Sequence, residues 1–160
     1  MAKKIHKIKG FQIHTDSVQI DVDMSRVENN LNRAQFALDS AIMTSMIPFM
    51  PQQTGQFINE TQAESAALAG TGKVVAAAPP QGRYLYEGVK MVDAKTGKGP
   101  MKITDKYGGE VVRWKKGTKL KPTNIPLTYS RGSAQSHWFE PAKEKDGDNW
   151  VKLVQKEMDK

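Results

Sequence analysis

The clearest pattern of apolar and polar positions lies between Ser25 and Gly55. Apolar or small residues recur there at steps of three and four, which places them on one face of an α-helix. These positions are Val27, Leu31, Ala34, Leu38, Ala41, Ile42, Ser45 and Met46. Ser25 and Glu28 have the spacing of a capping box, and Pro48 and Pro51 are expected to end the helix. The pattern predicts one long helix along which the other elements pack.

Shorter patterns flank this helix. Apolar residues alternate with polar ones at 11–13 and 18–22, with turn residues at 15–17, which predicts two short strands. Residues 1–10 are expected to form a flexible N-terminal arm. Residues 57–70 are rich in alanine and fit a helix or a strand. We favour the strand, because Gly70–Lys73 has the composition of a hairpin turn.

The second half of the chain has shorter patterns and a segment rich in glycine and lysine. A buried strand is predicted at 74–78 and one or two helical turns, closed by a glycine, at 81–89. Residues 91–125 contain five glycines and many lysines, and two short hairpin candidates at 101–104 and 110–115 predict a projecting β-arm there. A strand at 125–129 is then expected to return to the body of the domain.

Two helices are predicted at the C-terminal end. Ser136 is expected to cap the first, and Gly147 to separate it from the second. Taken together, the chain is predicted to be a single domain over residues 1–160 with an α+β fold. Its expected parts are a long N-terminal helix packed on a small, mostly antiparallel sheet, C-terminal helices and the basic arm.

The composition bounds the class of protein. The mean hydropathy of −0.58 and an apolar content of 38% indicate a modest core for 160 residues. The absence of cysteine excludes disulfides and thiolate sites. No apolar run approaches the length of a membrane span, so no membrane partner is expected, and the basic N-terminus lacks the apolar region of a signal peptide.

The net charge of +7 is concentrated in one segment. Residues 95–121 contain nine basic and two acidic residues, an excess equal to that of the whole chain. Lysines on such an arm are suited to docking on an acidic protein surface, which we favour, or to contacting phosphates. Tyr107 and Trp114 are placed to stack on bases in the second case. The remaining alternative is a solvated loop.

Catalytic and metal-binding patterns are weak. His137 and Glu140 are three residues apart, but a helical first turn explains them better than a metal site. Ser133 is a lone loop serine without a GxSxG motif. Residues 70–75 lack the spacing of a phosphate-binding loop. We therefore expect no catalytic residue, no metal and no cofactor, and no enzymatic activity.

Three stretches together resemble a known family. They are Pro51–Phe57, with its P-x-x-T-G-x-F pattern, then Arg83–Gly88, and finally Ser136–Lys143 followed by Trp150 and Val151. Their order and spacing resemble those of the minor capsid, or head–tail joining, proteins of long-tailed bacteriophages. The long basic insertion at 91–125 departs from that pattern.

The resemblance implies a structural subunit of the virion neck, made in the host cytoplasm. Such subunits form a ring, here expected to be sixfold, that connects the portal side of the capsid to the tail. The expected partners are further copies, neighbouring neck proteins on both sides, and genome DNA in the lumen.

The interface residues expected on this basis are Phe49, Phe57, Tyr84, Tyr86, Lys115, Lys116, Lys119 and Lys121. A structural turn is expected at Pro51, Thr54 and Gly55, where the glycine supplies backbone freedom and the threonine a local hydrogen bond. The alternative function is a basic nucleic-acid-binding module that uses residues 95–121.

Overall fold

The protein has the predicted α+β fold in a computed structural model that describes residues 6–52, 55–79, 82–104 and 108–160. The helices are α1 (Ser25–Met46), α2 (Gln56–Leu68), α3 (Gly82–Glu87) and α4 (Phe139–Met158), with a 3₁₀ turn at Ile47–Phe49. The strands are β1 (Phe11–His14), β2 (Gln19–Val22), β3 (Val89–Asp93), β4 (Met101–Thr104), β5 (Glu110–Arg113) and β6 (Leu120–Pro126).

The long helix α1 packs most extensively against α4, which runs antiparallel to it. Near one end, the Asn30 side chain donates to the Met158 carbonyl at 2.9 Å. Further along, Trp150 Nε1 donates to Ser45 Oγ at 3.1 Å. These two bonds fix the register of the helix pair, while Met43, Met46 and their neighbours supply the apolar contact.

The predicted capping box is not formed at the start of α1. The backbone N–H and the hydroxyl of Ser25 both donate to the Asp23 carboxylate, at 2.8 and 2.9 Å. Glu28 instead accepts a hydrogen bond from the Ile8 backbone N–H at 3.3 Å. An aspartate two residues upstream therefore replaces the expected serine cap, because its carboxylate is the stronger acceptor.

The strand predicted at 57–70 is wrong, since α2 occupies most of it. Phe57, Ile58, Thr61 and Ser65 are buried, and their spacing is that of one helical face. Ala63, Ala66 and Ala67 lie on the exposed face, and alanine has the highest helix propensity. The prediction failed because a glycine turn signal was given more weight than this periodicity.

The segment 74–78, predicted as a strand, pairs with no strand among the described residues and is held by side chains of α2. Ser65 Oγ donates to the Val75 carbonyl and accepts from the Val75 N–H, both at 2.9 Å. Thr61 Oγ1 accepts from the Ala78 N–H at 3.1 Å. Hydroxyl groups thus satisfy backbone groups that a neighbouring strand would otherwise pair.

A buried carboxylate closes the turn between α2 and this segment. Asp39, which is 4% exposed, accepts from the backbone N–H groups of Gly70 and Gly72 at 2.8 and 3.0 Å. Its other oxygen accepts from the Gln35 side chain at 2.7 Å. The turn predicted as a hairpin is therefore a connection docked on α1.

Replacing Asp39 with asparagine is expected to lower the free energy of unfolding by about 2 kcal/mol, because an amide offers one acceptor oxygen where the carboxylate offers two. Thermal unfolding followed by circular dichroism measures the effect, as a fall of roughly 6 °C in the midpoint. Asp148→Asn, at an exposed position, is the matched control. Equal midpoints for the two variants would contradict the role of Asp39.

The strands form three separate antiparallel ladders in the described residues, where a single sheet was expected. β1 pairs with β2 as predicted. In the basic arm, β3 pairs with β6. The two strands that lie between them in the sequence, β4 and β5, pair with each other. The strand predicted at 125–129 was misplaced, because β6 begins at Leu120 and ends at Pro126.

Gly88 closes α3 as predicted and has a φ of +70°. A Cβ at this position would lie 2.5 Å from the Cβ of Ser136, so both conformation and space require glycine. The Gly88 carbonyl also accepts from the Leu127 N–H at 2.8 Å. The base of the arm is thereby fixed to the segment that leads into α4.

The C-terminal region is one helix, where two were predicted. α4 begins at Phe139 without a side-chain cap, so Ser136 does not have the predicted capping role. Gly147 lies inside the helix, at a cost of about 1 kcal/mol relative to alanine. Burial of Ala142 and Trp150 on either side of this glycine outweighs that cost.

Candidate assembly surfaces

The three stretches singled out in the sequence at 51–57, 83–88 and 136–143 meet at Trp138, which is completely buried. Phe57, from the first stretch, packs edge-on against the indole at 5.9 Å between ring centroids. Tyr86, from the second, does so at 4.9 Å. The indole N–H donates to the Ala76 carbonyl at 2.9 Å. Trp138 therefore joins α2, α3, α4 and the 74–78 segment.

The proline corner after α1 is tied to the loop that precedes α4. Ser133 Oγ donates to the Pro48 carbonyl at 2.8 Å, and the Gln135 N–H donates to the Phe49 carbonyl at 3.1 Å. Arg131 donates to the Ile47 carbonyl at 3.2 Å. This arrangement gives Ser133 an anchoring role in the fold.

The predicted aromatic interface residues differ in exposure. Phe57 is 8% exposed and belongs to the core, so little of its ring is open to a partner, and the docking role expected for it stays a prediction. Phe49 is half-buried, with Lys145 Nζ 6.0 Å from its ring centroid. Tyr84 and Tyr86 are also half-buried. Phe49, Tyr84 and Tyr86 thus retain surface that a partner can contact.

Gly55 has the predicted backbone role in the turn before α2. Its φ of +82° lies in the left-handed region that glycine adopts without strain. Pro51 is half-buried at the end of the corner. Thr54 lies outside the described residues, so its hydrogen bond stays a prediction.

A small polar cluster surrounds Tyr86 at the edge of the Trp138 junction. The Tyr86 hydroxyl donates to Glu140 at 3.3 Å, and His137 Nε2 lies 3.8 Å from a Glu87 oxygen. Burial raises the pKa of Tyr86, and the Glu140 carboxylate raises it further. Within the described ranges, no group of three or more acidic or histidine side chains is arranged to hold a metal ion.

The four predicted lysines are exposed on the basic arm. Lys115 and Lys116 lie in the connection between β5 and β6, and Lys121 lies on β6 opposite Val92. The Lys119 carbonyl accepts from the Ala94 N–H at 2.8 Å. The arm thus holds its backbone by strand pairing and presents the ammonium groups outward. Lys106 and Tyr107 lie outside the described residues.

The N-terminal hairpin β1–β2 is an exposed apolar element. Seven of its eight strand residues are exposed. Phe11 is 53% exposed, Ile13 46% and Ile20 45%. Two strands alone are marginally stable in water, so a hairpin with this much exposed apolar surface indicates a missing contact.

A groove of about 850 Å³ lies where the base of the arm meets α3. Its lining is mainly apolar: Tyr84, Leu85, Val89, Met91, Val92, Pro100, Trp114, Ile125 and Leu127, with Lys90, Gly99, Arg113 and Thr123. We refer to these residues as the arm groove. Of these residues, only Tyr84 was expected at a protein interface and only Trp114 as a base-stacking residue, since the pairing that brings β6 beside β3 leaves no local pattern.

Comparison with known proteins gives no relative: the chain matches no family model, no curated protein and no solved structure. None of the described helices is both long and apolar enough to cross a membrane.

Proposed function

We propose that this chain is a structural subunit of a bacteriophage neck, a tail-completion or head–tail connector protein that forms a ring. The observation that carries the proposal is the convergence at Trp138. Three stretches separated by up to about 80 residues, and singled out together for their order, contact one another there through Phe57, Tyr86 and the indole. The resemblance thus covers residues that form one structural unit.

Exposed apolar surface on strands supports a role in assembly. Besides the hairpin, Met101 on β4 is 43% exposed and Ile125 on β6 is 53% exposed. A ring subunit leaves such residues for its neighbours to cover, which also accounts for a modest core. The expected partners are copies of this chain, the neck proteins on its two sides, and genome DNA in the lumen.

Native mass spectrometry of the purified chain over a range of concentrations tests ring formation. The expected species is a closed assembly with six times the 17.8 kDa monomer mass, without a ladder of larger sizes. Monomers alone, even after neck proteins of the same virus are added, would contradict the ring.

The second candidate function, nucleic-acid binding, is favoured by the four exposed lysines within seven residues of the arm. Lysines of this kind neutralise phosphates without reading sequence, so affinity for duplex DNA would fall steeply with salt. Binding by a monomer, without assembly, would favour this function over the neck subunit.

Replacing Lys115, Lys116, Lys119 and Lys121 together by alanine is expected to leave the free energy of unfolding within about 2 kcal/mol of the parent, because each lysine is exposed. If the arm contacts DNA, fluorescence anisotropy at low salt will show weaker binding and a shallower salt dependence. Lys152→Ala on α4 is a single-site control away from the arm. Unfolding caused by Lys116→Ala alone would contradict the peripheral position of the arm.

A further inference from the structure

We propose that the β1–β2 hairpin of one subunit inserts its apolar face into the arm groove of a second copy of this chain. The inference rests on the proposed ring and identifies the contact that builds it. Because the hairpin and the groove are different surfaces, the contact is head-to-tail, and repeating it generates either a closed ring or an open chain.

The pairing of the hairpin strands creates one apolar face. Phe11 lies opposite Val22, and Ile13 opposite Ile20, and these two pairs are two residues apart along each strand. All four side chains therefore project from the same side of the ribbon. The other side carries polar pairs, Gln12 with Asp21 and His14 with Gln19.

The hairpin does not use the groove of its own chain. Phe11, Ile13 and Ile20 are each close to half exposed, so nothing in the same chain covers them fully. The groove, in turn, has open apolar walls from β3, β6 and α3 together with Pro100 and Trp114. The apolar face of the hairpin and the apolar lining of the arm groove are both left uncovered within one chain. The two surfaces are therefore complementary in chemistry.

Charge favours this groove over the other large one. The hairpin, residues 11–22, contains Asp16 and Asp21 and no lysine or arginine. The arm groove has Lys90 and Arg113 in its lining and no acidic residue. Opposite charges at the rim of an apolar contact steer the approach and fix the register.

The second groove lacks this complementarity. It lies between α1 and α4, has a volume of about 660 Å³ and includes Lys143 together with Glu144 and Asp148. Its mixed charge offers no net attraction to an acidic hairpin. The arm groove is therefore the acceptor that the charges select.

The experiment uses one variant on each surface. The donor variant carries Phe11→Ser and Ile13→Ser, and the acceptor variant carries Ile125→Glu, a change at an exposed groove position. Native mass spectrometry is expected to show roughly 100-fold weaker self-association for each, because each loses apolar contacts at the centre of the interface. Gln12→Ser with His14→Ser, on the polar side of the same strands, is the matched control and is expected to assemble as the parent does.

Mixing the two variants gives the decisive result. The intact hairpin of the acceptor variant can enter the intact groove of the donor variant. The mixture is therefore expected to form heterodimers at concentrations at which each variant alone stays monomeric. Circular dichroism checks that each variant keeps the parent spectrum. Because the donor changes lie on β1 and the acceptor change lies on β6, lost assembly in both variants with a parent spectrum is not explained by a folding defect.

The possible outcomes distinguish a failure of the hairpin–groove contact from a failure of ring formation. Parent-like assembly of both variants would overturn the hairpin contact and leave the ring standing. Open chains of parent protein that both variants abolish would support the contact and contradict a closed ring. A parent chain that remains monomeric at every concentration, even after neck proteins of the same virus are added, would overturn both, whether the groove then binds DNA or an unrelated protein.

Discussion

Replacing Trp138 with alanine is expected to lower the free energy of unfolding by about 4 kcal/mol, the largest effect of any single change described for this chain. The side chain is completely buried, and it contacts Phe57, Tyr86 and the Ala76 carbonyl. Its removal leaves a cavity where four segments meet and also leaves a carbonyl without its donor. Chemical denaturation measures the loss.

Two other tryptophan variants show which part of this loss comes from the hydrogen bond and whether it is specific to the junction. Trp138→Phe retains most of the apolar contact but loses the indole N–H, so it is expected to cost about 1 to 2 kcal/mol. Trp114→Ala removes a half-buried side chain from the arm and is expected to cost less than Trp138→Ala. A larger loss at Trp114 than at Trp138 would show that the junction is not the centre of the fold.

Replacing Phe57 with alanine is expected to lower the free energy of unfolding by about 3 kcal/mol, because its ring is buried against Trp138. The effect is expected in the monomer, at concentrations too low for assembly. Thermal unfolding measures it, with Phe36→Ala as the control, since that ring is 51% exposed on α1.

Phe57→Ala also separates two roles that a sequence cannot distinguish. A buried residue lowers monomer stability, whereas an interface residue lowers assembly and leaves monomer stability unchanged. Lost assembly with an unchanged unfolding midpoint would contradict the core position and restore the docking role expected from the sequence.

The sequence predicted those elements whose signals are local. α1 follows from spacing and prolines, β1–β2 from alternation around a turn, and the positions of β4 and β5, though not their pairing, from short apolar segments among glycines. α2 was missed because Gly70 and Gly72, which suggested a hairpin, instead donate to Asp39 on another helix. A bond across 31 residues leaves no local pattern.

The candidate surfaces were also predicted only where their signals are local. The exposed lysines follow directly from composition, since a cluster of like charges stays at the surface. Phe57 was placed on the surface because its burial depends on Trp138, 81 residues later in the chain. The arm groove was not predicted because β6 comes beside β3 only through strand pairing, which leaves no local pattern in the sequence.

Electron cryomicroscopy of intact particles of the bacteriophage from which the proposal derives this chain tests the proposed function most directly. The expected result is a ring of this subunit between the portal and the tail, with the β1–β2 hairpin of each copy in the arm groove of the next. Absence of the chain from the particle, or its presence outside the neck, would contradict the assignment of a head–tail joining role.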